Sequence, residues 1–142
     1  SCRVYTLLGD GEIEEGQVWE AFMFAHHYKL DNLCVIIDNN GLQIDGAVDK
    51  VMSPYPIPDK LKAFGFAVKE IDGHDFDQME AAFAEAKATK GVPFAIVMKT
   101  TKGKGVSYME NQAGWHGKAP NDEEYKIAMD ELTAQLAEVE AM

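Results

Sequence analysis

No apolar run in these 142 residues approaches the roughly 18 needed to cross a bilayer, so no membrane span is expected. Basic side chains are scarce: 13 Lys and Arg stand against 24 Asp and Glu, a net charge of −11 with His neutral. The resulting pI of about 4.7 argues against nucleic-acid binding, which needs a basic face. Cysteine is nearly absent. Cys2 and Cys34 sit in apolar, strand-like contexts, outside any CxxC or Cys/His cluster. That argues against structural zinc, and the expectation is two buried free thiols in a reducing cytoplasm. The sequence shows no basic start followed by an apolar stretch, no internal repeat and no low-complexity tract.

What is present is enough for a core. A hydrophobic content of 46% excludes general disorder. A length near 150 fits one domain, residues 1–142, or one part of a larger assembly. Two periods alternate along the chain. Residues 3–8 read as a strand, and 15–28 as a helix with Val18, Ala21, Phe22 and Ala25 on one face. Residues 33–37 form a continuous apolar run, as in a strand buried on both sides. Residues 39–58 hold Gly and Pro with little periodicity and read as loop; 59–64 fit a short helix stopped by Gly65; 66–71 read as a third strand. The next helix, 75–90, has Asp75 and Gln78 as a capping box and Phe76, Met79 and Phe83 along one face. A fourth strand covers 93–98, and a long Gly-bearing loop covers 100–120. The last helix starts at Asn121, boxed with Glu124, with an apolar stripe of Tyr125, Met129, Leu132 and Leu136. Strand–helix alternation predicts an α/β fold with a mostly parallel sheet flanked by helices. The first strand begins almost at residue 1, so an N-terminal portion is expected to be missing.

The polar, Gly-rich segments all follow strands: Gly9-Asp10-Gly11-Glu12, Asp38-Asn39-Asn40-Gly41, and residues 99–105 with three lysines. Open α/β sheets bind ligands beyond the carboxyl ends of their strands. Gly9 and Gly11 allow close backbone approach. Asp10 offers a hard anionic oxygen, Asn40 a neutral one, and the loop carbonyls more. Such sets, completed by phosphate, suit Mg²⁺. Lys102 and its neighbours would compensate phosphate charge. Together these read as a metal-bridged diphosphate site. A nicotinamide or flavin fingerprint fits poorly, because Glu14 occupies the third Gly position and acidic Glu12, Glu14 and Glu15 crowd the helix start. Each residue also has a plainer role: Asp10 as a helix cap, Asn39 and Asn40 as turn formers, Lys102 as a solvated cation. His26 and His27 suit packing, and His74 a turn or an interface. Trp19, Phe22 and Phe24 suit core or interface, and the acidic last helix a solvated face.

Gly-Asp-Gly followed 30 positions later by Asn40 resembles the thiamine diphosphate motif. Residues 9–20, 28–33, 38–46, 71–74 and 99–105, with Gly114-Trp115-His116-Gly117-Lys118, resemble transketolase over nearly the whole chain, nearest to the short N-terminal subunit of split bacterial forms. The resemblance implies that Asp10, the Asn40 side chain and the Leu42 carbonyl hold Mg²⁺ (Ca²⁺ being a possible substitute), and that the Gly11 N–H meets the diphosphate. It places Lys102 near the cofactor. His116, 14 positions on, would contact the cofactor and act on the sugar, binding its oxygens or moving a proton. Glu15 would lie at a subunit interface. The implied reaction is transfer of a two-carbon ketol unit between sugar phosphates, within pentose phosphate metabolism. The implied partner is a pyrimidine-binding domain or subunit in a homo- or hetero-oligomer. The upstream substrate-binding histidines and the activating glutamate of complete transketolases are not in this chain. The alternatives are another thiamine diphosphate enzyme, of deoxyxylulose-phosphate synthase or 2-oxo-acid dehydrogenase type, and a non-catalytic assembly partner. The Gly114-to-Gly117 segment favours transketolase.

Overall fold

A computed structural model describes residues 2–141. The strands are β1 (Val4–Gly9), β2 (Leu33–Asn39), β3 (Leu42–Gln43), β4 (Gly46–Ala47), β5 (Ala67–Asp72) and β6 (Phe94–Lys99). The helices are α1 (Gly16–His27), α2 (Val48–Val51), α3 (Ile57–Ala63), α4 (Phe76–Ala88) and α5 (Asp122–Glu140). β1, β2, β6 and β5 lie side by side in that order, every pair parallel. The expected α/β architecture is therefore the one found.

β2 and β6 occupy the centre because their side chains are apolar on both faces. Val35, Ile37, Ala95 and Val97 point to one side and pack with Phe22 and Ala25 of α1 and Ile57 and Leu61 of α3. The alternate residues Cys34, Phe94 and Ile96 point to the other side and pack against Ala82 and Ala86 of α4. This is the period-two alternation of strands, with helices covering both faces. Each fully buried Val, Leu, Ile or Phe side chain contributes about 1.5–3 kcal/mol. The register also aligns the strand ends: Gly9 sits beside Asp38, Asp38 beside Met98, and Lys99 beside both Asn39 and Asp72. The loops after all four strands thus leave from one edge.

Helix starts follow their caps. Asp75 accepts the Gln78 N–H at 3.0 Å, and Asn121 and Glu124 form the full reciprocal box. Several expectations are corrected. The segment 39–58 contains the antiparallel hairpin of β3 and β4, the turn of helix α2 and the start of α3 at Ile57. Two-residue strands are too short to show a period. Phe76 is 82% exposed, so α4 packs through Ala82 and Ala86, with Met79 and Phe83 partly covered. Phe24 and Ala21 of α1 are also exposed. The stripe Tyr125, Met129, Leu132 and Leu136 of α5 is exposed, and only Ala128 of that helix is buried. Cys34 is buried as expected, but Cys2 is exposed.

Candidate functional site

The Gly-Asp-Gly loop closes β1. The Asp10 N–H donates to the Asp38 carbonyl at 3.0 Å, extending the ladder past the strand. Gly9 N–H donates to Glu12 Oε2 at 2.6 Å, which turns the chain into a single 3₁₀ turn, Glu12–Glu14, before α1. The Asp10 carboxylate is driven inward and is only 1% exposed. Its Oδ1 accepts the Gly11 N–H at 3.0 Å, and its Oδ2 accepts the Gly41 N–H at 2.6 Å. One side chain therefore ties the loop after β1 to the loop after β2. Asn40 forms its own turn, accepting the Leu42 N–H at 3.0 Å. Gly11 is required for space: a Cβ there would lie 2.9 Å from the Gln43 Cβ.

Burial pushes the Asp10 carboxyl above its ordinary range, and the neighbouring Asp38 carboxylate adds to this; the Gly41 and Gly11 N–H groups pull the other way. Burial also raises the Tyr55 phenol, helped by Asp10 and Asp49. Tyr55 donates to Asn39 Oδ1 at 2.9 Å.

The other side of the site comes from the segment after β6. Thr100 Oγ1 donates to Asp38 Oδ1. Lys102 then brings its Nζ within 3.4 Å of His116 Nδ1. The loop between them is braced by α5. Glu131 accepts the Ser107 N–H at 2.8 Å and its hydroxyl at 2.5 Å, Gln135 Nε2 donates to the Gly105 carbonyl at 2.8 Å, and the Tyr108 hydroxyl donates to the Glu124 carbonyl at 2.6 Å. Trp115 Nε1 donates to the Tyr108 carbonyl at 3.0 Å, and Lys118 lies 4.1 Å over the Trp115 ring while pairing with Glu124.

A cavity of about 500 Å³ opens at this edge, and Asp10, Gly11, Asn40, Leu42, Lys102 and His116 all line it. Every site residue expected from the sequence is thus brought together. Glu15 lines the same cavity and is exposed, with Gln17 Nε2 donating to its carboxylate at 2.5 Å. Sequence reading missed Asp38 and Thr100 as the link between the two sides, and the bracing by Glu131 and Gln135. The only sequence signal for the first was position: both residues stand at strand ends. For the second there was none, because acidic residues on a terminal helix look like a solvated face.

The donor chemistry fits a divalent cation carrying a phosphate group. One buried carboxylate, disfavoured as an anion by its surroundings, stands near a neutral amide oxygen and a backbone carbonyl, with a lysine across the cavity. Among the described residues there is no group of three or more His, Cys, Asp or Glu that could hold a metal ion.

A parallel sheet whose Gly-rich, oxygen-bearing loops meet at the carboxyl edge has the build of a ligand-binding α/β domain. Residues 1–138 match the family described as "Transketolase, thiamine diphosphate binding domain", and the chain belongs to that family. It is 42% identical over 138 residues to an apulose-4-phosphate transketolase subunit of Phocaeicola vulgatus, covering 97% of this chain and 49% of that protein. It is 47% identical over 120 residues to the transketolase of Homo sapiens, covering 83% of this chain and 18% of that one. The crystal structure of transketolase from Campylobacter jejuni superposes with a TM-score of 0.85 at 34% identity, covering 92% of this chain and 20% of that one. The chain therefore spans about half the length of the split-transketolase relatives it matches. No helix among the described residues is long and apolar enough to cross a membrane.

Proposed function

We propose that this chain supplies the Mg²⁺–diphosphate half of a transketolase-type active site and works with a partner that supplies the pyrimidine-binding half. The observation that carries this is the convergence of Asp10, Asn40, Leu42, Lys102 and His116 on one cavity in a chain of this family. Asp10, the Asn40 side chain and the Leu42 carbonyl would hold the metal, Mg²⁺ or Ca²⁺ in its place. A cation there offsets the cost of the buried Asp10 charge. Gly11, whose N–H is held by Asp10 Oδ1 at 3.0 Å, would turn that N–H to the diphosphate once a cation takes over the carboxylate, and Lys102 would balance the remaining phosphate charge. The cofactor, when bound, supplies the carbanion chemistry for moving a two-carbon ketol unit from a ketose phosphate to an aldose phosphate.

His116 is the proton-handling group of this half. It is exposed, at the mouth of the cavity, and its Nδ1 faces a lysine. With Nδ1 turned to the lysine ammonium, a neutral imidazole carries its proton on Nε2 and donates it to a sugar oxygen; it would take up a proton from a sugar hydroxyl at Nδ1 once Lys102 turns to the phosphate. Glu15, on the rim of the cavity, is positioned for contact with the partner in a homo- or hetero-oligomer. On this reading the enzyme serves carbohydrate metabolism in the cytoplasm. The relatives' names differ in sugar, apulose-4-phosphate in one and 6-deoxy-6-sulfo-D-fructose in another. The substrate class proposed is ketose and aldose phosphates, and the second name extends it to sugars whose terminal anion is a sulfonate.

The test is ketol transfer by this chain combined with its pyrimidine-binding partner, with thiamine diphosphate and Mg²⁺ present. Consumption of a ketose phosphate that depends on an aldose acceptor supports the reading. Absence of turnover across a panel of ketose phosphates, from an assembled and folded complex, contradicts it.

A further inference from the structure

His74 lies outside the cavity described above, yet it touches the backbone on which that cavity depends. β5 ends at Asp72, whose Oδ1 accepts the His74 N–H at 2.9 Å and fixes a tight turn. Gly73 N–H donates to the Lys99 carbonyl at 2.8 Å, joining this turn to the end of β6. Residue 73 is glycine for a steric reason: a Cβ there would lie 2.5 Å from Thr100 Cγ2 and 2.9 Å from Met98 Cβ. With that close approach, the His74 imidazole swings over the chain leaving β6, and its Nε2 accepts the Thr101 N–H at 2.8 Å. The opposite side of the same segment is held by β2: Thr100 N–H donates to the Asn39 carbonyl at 3.3 Å, and Thr100 Oγ1 to Asp38. Residues 99–101 are thus gripped from both flanks, and Lys102 is the first residue beyond the grip.

We propose that His74 is a positioning residue for the active site, fixing the Thr101–Lys102 backbone so that the Lys102 ammonium reaches the diphosphate pocket beside His116. The inference rests on the reading of Lys102 as a cofactor-binding residue given above. A lysine carries its charge on a flexible four-carbon stem, so its placement depends on where its backbone is anchored. Downstream, the Lys102 carbonyl accepts the Asn111 N–H at 2.9 Å, but that partner belongs to the surface loop itself. His74 and the β2 contacts are what connect Lys102 to the sheet. To accept from Thr101, His74 must carry its proton on Nδ1, so the side chain serves as an acceptor of fixed reach. Glutamine at 74 can offer a carbonyl oxygen at similar reach; alanine cannot.

The experiment is a double-mutant cycle in the assembled enzyme, reading the apparent KM for thiamine diphosphate at saturating Mg²⁺. His74→Ala is expected to raise that KM about fivefold, the scale of one lost hydrogen bond. His74→Gln is expected to stay near wild type. Lys102→Ala is expected to raise KM further, and His74→Ala added to Lys102→Ala to change nothing more, because the contact acts through the lysine. If Lys102→Ala alone leaves KM unchanged, the reading of Lys102 fails and the positioning role falls with it. If Lys102→Ala raises KM while His74→Ala does not, or the two effects multiply independently, the positioning role alone is overturned. A His74→Gln enzyme as impaired as His74→Ala overturns it as well.

Discussion

Asp10 and Lys102 line one cavity but are held by different means. Asp10 is 1% exposed, one residue past β1, and its two oxygens are satisfied by backbone N–H groups from two loops that the sheet register itself aligns. The segment running from Lys102 to His116 crosses the surface and hangs on side chains of α5, a helix with a single buried residue. The first corner is a product of the core: to move Asp10, β1 and β2 must separate. The second is an attachment made of exposed and half-buried hydrogen bonds, each worth little by itself. Local opening runs to low free energy where few apolar contacts are buried, so the two corners differ in rigidity as well as in chemistry. On the proposed function, a preformed corner built on Asp10 facing an adjustable arm that carries His116 would suit a site that must hold one cofactor while sugars enter and leave.

The contrast can be broken from either side. The largest effect belongs to Asp10→Ala, which removes the buried carboxylate and leaves the Gly11 and Gly41 N–H groups without their acceptor. Losing even an outer-shell partner typically weakens metal binding about 10–100-fold. The loss of Asp10 is expected to exceed that, read as disappearance of Mg²⁺-dependent cofactor binding in a calorimetric titration. Next comes His116→Ala in the assembled enzyme, with kcat expected to fall about a hundredfold, the lower range for a general acid–base group, while cofactor affinity changes far less. Equal losses in both would mean that His116 anchors the cofactor instead of moving protons.

A smaller effect is expected from the brace. Hydrogen bonds from the Ser107 side chain and backbone hold the Glu131 carboxyl below its ordinary value of 4.5, and Lys118 does the same for Glu124. A depressed folded pKa contributes stability that is present above the unfolded value and is lost as pH falls through the folded one. The arm should therefore loosen below about pH 4.5 before the sheet does. Trp115 emission in a Trp19→Phe background is the reporter, and Glu131→Gln should shift that transition. A single transition shared with far-UV circular dichroism would erase the distinction between the two regions. The smallest effect is chemical. Burial pushes the Cys34 thiol up to about 11, whereas Cys2 is exposed. The native chain should titrate one fast thiol with a disulfide reagent and two in denaturant. Because the Cys34 value is raised on folding, its contribution to stability is full below the unfolded value of 9.0 and is lost as pH rises through about 11.

The same division governs what could be read from the chain itself. The apolar runs of β2 and β6, the Asn121–Glu124 box and the loops after the strands are local patterns, and they gave the sheet, the last helix and the edge that carries Asp10, Gly11, Asn40 and Lys102; Leu42 and His116 came only through the family resemblance. Asp10 with Asn40 was legible because both belong to one motif of fixed spacing. The hairpin at Leu42–Ala47 was not, since two residues per strand carry no period. The stripe on α5 was visible as a pattern, but amphipathicity says that a face is apolar and not what covers it, and here Leu132 and Leu136 stay exposed. The clamp by Glu131 and the His74–Thr101 bond pair residues 24 and 27 positions apart through turns whose geometry only the folded chain defines.

On the proposed function, the corner built on Asp10 and Asn40 takes a diphosphate through a divalent cation. A thermal-shift titration with thiamine diphosphate, in Mg²⁺ and then in EDTA, tests it on this chain assembled with its partner. At a hundredfold excess over the dissociation constant, a one-site ligand adds about 2.7 kcal/mol of stability. The expected result is a stabilisation of that order which requires Mg²⁺ or Ca²⁺, vanishes in EDTA and is absent from Asp10→Ala. An equal shift in EDTA, or one undiminished in Asp10→Ala, would contradict the claim.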